Sequence, residues 1–150
     1  MAYDVHWIVK YQVIYVGLLD DITLDDFRDS SKQIADYMDE AYSQEVTHKI
    51  IGVIDLTHAK LGTLMRFTLS AAQDIANVID PRNLKAKPGF TILVTVSEVA
   101  KLITGLVIRL SRQPMTTVAT LDEALNVVGN MYPELKIQLT TYQADEANKS

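Results

Sequence analysis

The chain has no cysteine, a single tryptophan and only six glycines, none adjacent to another. Without cysteine there are no disulfides, no thiolate metal sites and no thiol catalysis. Scattered glycines leave no Gly-x-Gly-x-x-Gly fingerprint, no Walker loop and no Gly-x-Ser-x-Gly nucleophile elbow. Basic charge is also scarce: 14 Lys and Arg stand against 19 Asp and Glu, a net charge of −5. That balance speaks against nucleic-acid binding, which needs clustered cations to neutralise phosphates. Arg82, Lys85 and Lys87 form a local cluster that reads as a solvated loop. Long apolar runs are missing too. The longest apolar helix candidate, Val99 to Leu110, is interrupted by Lys101 and Arg109 and is too short to span a bilayer, so no membrane insertion is expected. Met1 to Lys10 lacks a basic stretch followed by an apolar one, so the expected location is cytoplasmic.

What is present is ordinary for a globular protein: 48% apolar and 22% charged over 150 residues. One domain is expected over residues 1–135, followed by a polar, flexible tail over 136–150, in which Ile137 and Leu139 are the residues able to dock.

Hydrophobic periodicity divides the domain into alternating elements. Val5 to Lys10 alternates, with Val5, Trp7 and Val9 on one face, and Val13 to Leu18 is apolar on both faces, hence more central. Thr23 with Asp26 resembles a capping box opening a helix through Leu24, Phe27, Ile34, Met38 and Ala41. Lys49 to Leu56 is an apolar run closed by a carboxylate, the pattern of a strand buried on both faces. A second helix is expected over Leu64 to Ile79, ended by Asp80-Pro81. Phe90 to Val96 is another strand, and Ser97 and Glu98 open a third helix that stops at Gln113-Pro114. Met115 to Ala119 is the last strand, and the capping box Thr120-Leu121-Asp122-Glu123 starts a fourth helix that Tyr132-Pro133 closes. The order β-β-α-β-α-β-α-β-α implies an α/β fold: a mostly parallel central sheet, one antiparallel strand and four helices.

That order resembles the STAS fold of sulfate transporters and bacterial anti-sigma factor antagonists. Val16-Gly17-Leu18-Leu19-Asp20 is similar to the family's apolar-Gly-x-Leu-Asp turn. Ile54-Asp55-Leu56-Thr57 is similar to the Asp-Leu-Ser close of its central strand. Val99 to Ile103 matches its amphipathic third helix, and Thr120 to Leu125 the start of its final helix. The resemblance covers residues 5–130 through short motifs in the right order. It implies a non-enzymatic protein-interaction or regulatory module. One departure matters: antagonists carry a phosphorylated Ser in an Asp-Ser-Ser-Gly-like motif at the start of the second helix. Here Leu61-Gly62-Thr63-Leu64 occupies that position, and Thr63 is its only hydroxyl. A Thr there ordinarily serves as an N-cap, although free amides and the helix dipole would also welcome a phosphate. A divergent phospho-switch is therefore kept as an expectation.

The functional loop follows the central strand, because open α/β sheets keep their sites at the carboxyl ends of strands. Its candidates are Asp55, Thr57, His58 and Thr63. An Asp at a strand end ordinarily accepts amide hydrogen bonds from the loop that follows. His58, three residues later, offers the alternative of an acid–base couple. His48 lies at the other end of the same strand, roughly 30 Å away if extended, so the two histidines cannot share a metal. His6 has no partner at ligand spacing, and no metal or cofactor is expected. The third helix is apolar on more than one face, which suggests a partner on its outer side. Leu102, Leu106, Ile108 and Arg109 are the candidate interface. The leading expectation is self-association or another protein partner. A small apolar ligand or lipid is the alternative, and hydrolysis at Asp55 and His58 a third reading.

Overall fold

A computed structural model describes residues 2–19, 23–44, 49–59, 88–98, 101–102, 105–106, 109 and 114–149. The expected second helix, Thr63 and Ile108 lie outside the described residues.

Among the described residues, five strands form one sheet in the order β1-β2-β3-β4-β5. They are β1 (Tyr3–Val9), β2 (Val13–Leu18), β3 (Ile50–Asp55), β4 (Pro88–Val94) and β5 (Met115–Val118). β1 runs antiparallel to β2, and β2 through β5 pair in parallel. The chain is thus α/β with a mostly parallel sheet and one antiparallel pair, as the alternation of elements implied. All six residues of β2 are buried, which fits a strand flanked on both edges and covered on both faces.

The hairpin between β1 and β2 modifies the expected alternation. Tyr11 sits at φ 65, in the left-handed region, within the turn Lys10-Tyr11-Gln12. The register slips between Trp7 and Val9. One extra residue on a strand turns all later side chains over. Val5 and Trp7 therefore pack on one face of the sheet, while Ile8 and Val9 both pack on the other. Val9 does not share the face of Val5, contrary to the simple period-two reading.

Three helices are complete among the described residues: α1 (Leu24–Ser43), α2 (Leu121–Met131) and α3 (Lys136–Ala147). α1 begins as its sequence indicates. The Thr23 hydroxyl accepts from Asp26 N at 3.1 Å, and the Asp26 carboxylate accepts from Thr23 N at 3.1 Å. The start of α2 differs from a capping box. Thr120 Oγ1 accepts from Glu123 N at 3.2 Å, but the Glu123 carboxylate reaches one residue further back, to Ala119 N at 3.0 Å. After β4 the chain is helical at Glu98, Lys101, Leu102, Gly105, Leu106 and Arg109.

Two boundaries need correction. β4 ends at Val94, where its pairing with Val118 of β5 also ends. Thr95 and Val96 thus lie in a loop. The segment from Lys136 is a helix and not a flexible tail. Pro133 opens a short 3-10 turn that reverses the chain, and Leu139 of α3 docks with 3% exposure while Ile137 stays in solvent.

The two faces of the sheet are covered differently. α1, the crossover from β2 to β3, packs Met38 and Ala41 against Val5, Ile14, Val16 and Ile50. Tyr37 meets Trp7 edge-on at 5.7 Å between centroids, whereas Tyr42 is exposed. α2 and α3 follow the last strand, so crossover handedness does not bind them to that face. They cover the opposite one, with Ala124, Leu125, Val128 and Leu139 over Val13, Ile51, Val53 and Ile92.

Candidate functional site

The carboxyl end of the parallel strands gathers the polar side chains of the α2–α3 face. On β2, Tyr15 and Gly17 follow Val13 at alternate positions, and on β3, Asp55 follows Ile51 and Val53. Register places Gly17 opposite Asp55. A Cβ on Gly17 would stand 2.7 Å from the Tyr15 hydroxyl and 2.9 Å from its ring, so the phenol lies against the bare glycine backbone. Only a residue without a side chain leaves that path open. Along it Tyr15 reaches Asp55 and donates to Oδ2 at 2.9 Å.

The other Asp55 oxygen holds the loop. Oδ1 accepts from Thr57 N at 2.9 Å and from Thr57 Oγ1 at 2.6 Å. This is the side-chain-to-backbone turn that Asp favours at a strand end. Asp55 itself is 2% exposed. A buried carboxylate needs such donors, and three of them offset its lost hydration. Thr57 and His58 are both exposed, and no described hydrogen bond joins His58 to Asp55.

A second polar group continues from Tyr15. His6 pairs with Tyr15 across β1 and β2 and stacks on its ring, 4.8 Å between centroids and 29° between planes. His6 Nδ1 lies 3.1 Å from Asp4 Oδ1, and its Nε2 lies 2.8 Å from the Tyr142 hydroxyl of α3. An ionised Asp4 only accepts, so Nδ1 carries the proton in the neutral ring and Nε2 accepts from Tyr142. Asp4, His6, Tyr15, Asp55, Thr57 and Tyr142 thus form one set linking β1, β2, β3 and α3.

Electrostatics keep both phenols protonated. Burial raises Tyr15 well above the ordinary phenol value, with the Asp55 charge and hydrogen bond adding to it. Burial raises Tyr142 as well, with Glu146, Asp4 and Asp55 contributing their charge. An acid–base role would need a group that ionises near neutrality; these two shifts run away from it.

The candidate interface read from the sequence after β4 lies partly in solvent. Leu102 is 72% exposed, Leu106 is half-buried and Arg109 is exposed. Val96, in the loop before them, is 75% exposed. Sequence reasoning missed Asp4, His6, Tyr15, Gly17 and Tyr142. One signal was available at Tyr15-Val16-Gly17, where a phenol and a glycine share one face of an otherwise apolar strand. Among the described residues no group of His, Asp and Glu could hold a metal ion. No helix among them is long and apolar enough to cross a membrane.

No protein-family model matches this chain, and a search of curated proteins finds no match.

Proposed function

We propose that this chain is a STAS-like protein-interaction module that self-associates through the carboxyl edge of its sheet. The exposure of two large apolar side chains there, Val96 at 75% and Leu102 at 72%, carries the reading. Val96 lies two residues beyond Val94, and Thr57 two beyond Asp55, and Val94 and Asp55 pair in the sheet. Leu102, Leu106 and Arg109 then continue at i, i+4 and i+7 along one helical stripe. Covering a fully exposed Val or Leu is worth about 1.5–3 kcal/mol, and a two-fold interface would use each patch twice.

Asp55 supports the same reading from the other side. Its hydrogen bonds fix Thr57, so the loop carrying Thr57 and His58 meets a partner in a set shape and with little ordering cost. Light scattering on a size-exclusion column tests the proposal. The native chain should elute as an oligomer and Leu102→Glu as a folded monomer. A native monomer, or a Leu102→Glu chain with unchanged mass, defeats it.

A further inference from the structure

The start of α2 and the end of α3 lie side by side, with Gln143 Nε2 3.4 Å from Asp122 Oδ1. Between them runs an open groove of about 550 Å³ whose lining includes Leu121, Asp122, Asn126, Tyr142, Gln143 and Glu146. Its chemistry is one-sided. The half-buried Leu121 and Tyr142 give it apolar surface, and the Tyr142 hydroxyl is already engaged by His6. Asp122 and Glu146 supply carboxylates, Asn126 and Gln143 supply amide carbonyls, and none of the described lining residues is basic.

The chain itself shows what the Glu146 carboxylate accepts. The Lys149 ammonium sits 3.0 Å from Glu146 Oε1. Its affinity for the proton is raised, first by the hydrogen bond to Glu146 and then by that carboxylate's charge, with Asp4 and Asp145 adding to the field.

We infer that this groove docks a basic peptide segment of a protein partner. A Lys or Arg head would sit at Asp122 and Glu146, with its aliphatic stem along Leu121 and the Tyr142 ring. The groove opens three residues beyond Val118, which pairs with Val94 at the carboxyl end of the sheet, and the inference does not rest on self-association. Lys149 competes with the incoming cation for Glu146.

Fluorescence anisotropy of labelled octalysine at low salt provides the test, because screening suppresses such contacts as salt rises. Glu146→Gln should weaken binding about fivefold, the upper range for one exposed charge pair, and Lys149→Gln should strengthen it by a similar factor. The Glu98–Lys101 pair is a matched control with the same i,i+3 spacing, 3.2 Å apart and outside the groove lining. Glu98→Gln and Lys101→Gln should each leave the affinity within about twofold, since neither side chain lines the groove and an exposed charge without direct contact contributes little. Equal responses at the two pairs would mean that the peptide reads only net charge, and the inference is then wrong. It is equally wrong if octalysine does not bind the native chain.

Discussion

Replacing Tyr15 with Phe removes one hydroxyl from the centre of the polar set and leaves the ring in place. The ring is 8% exposed and stacked on His6, so packing is nearly conserved. What is lost is a 2.9 Å hydrogen bond to a carboxylate that is 2% exposed. Bonds to charged groups contribute about 1.5–3 kcal/mol, and water has little access to replace this one. Asp55 keeps both donors from Thr57, so it is weakened and not orphaned, which sets the expected cost at about 2 kcal/mol. With a urea dependence of about 2 kcal/mol per molar, the unfolding midpoint should fall by about 1 M. Thr57→Val is the internal comparison. It deletes the shorter 2.6 Å bond, but at an exposed position where water substitutes, so its expected cost is about 0.5–1 kcal/mol. Urea titration followed by far-ultraviolet circular dichroism near neutral pH measures both. If Tyr15→Phe costs no more than Thr57→Val, burial does not set the worth of these bonds and the account of the site is mistaken.

Gly17→Ala should cost about 1–3 kcal/mol by forcing Tyr15 off the strand. The added methyl meets the Tyr15 hydroxyl first, at 2.7 Å, so its cost should shrink in a Tyr15→Phe background. Strictly additive costs in the double-mutant cycle would show that the glycine does not serve the phenol. Alkaline pH supplies an independent check. Tyr15 and Tyr142 have folded values raised above the unfolded phenol value of about 10, so above that pH the folded chain keeps protons the unfolded chain releases. Their contribution is complete below about pH 10 and is lost as pH climbs beyond it, so the urea midpoint should fall there, and less steeply in Tyr15→Phe. A midpoint that stays flat from about pH 9 to about pH 11 contradicts the shifts.

The sequence signals that proved readable share one property: both halves lie within a few residues. β2 and β3 show themselves as short apolar runs, and Thr23 with Asp26 caps α1 as their spacing indicates. The features that escaped need partners far along the chain. Tyr15 and Asp55 are 40 residues apart, and His6 and Tyr142 are 136 apart. α3 was hidden for another reason. Only Leu139 is fully buried, and Tyr142, three residues on, is half-buried, while Ile137 points to solvent at 82% exposure. Two anchors among polar residues make no amphipathic stripe, so the tertiary contacts with His6 and the α2 core decide the helix. The bulge in β1 escaped because alternation alone does not register one inserted residue.

Asp55 holds the loop after its strand by accepting hydrogen bonds, as an Asp at a strand end ordinarily does. The end of the central strand is where an open α/β sheet would put a reactive carboxylate, and a general base needs an oxygen that substrate can reach. Here one oxygen holds Tyr15 and the other holds the backbone and hydroxyl of Thr57, and the carboxylate residue itself is 2% exposed. Any approach to Asp55 would first have to break the turn that shapes the loop. The carboxylate therefore acts on its surroundings through geometry. It ties β2 to β3 at their carboxyl ends and sets the path of Thr57, while Tyr15 carries the same constraint by stacking onto His6 and, through His6, to Tyr142 of α3. A rigid edge built in this way would suit the self-association proposed above, since little further order would have to be imposed on binding.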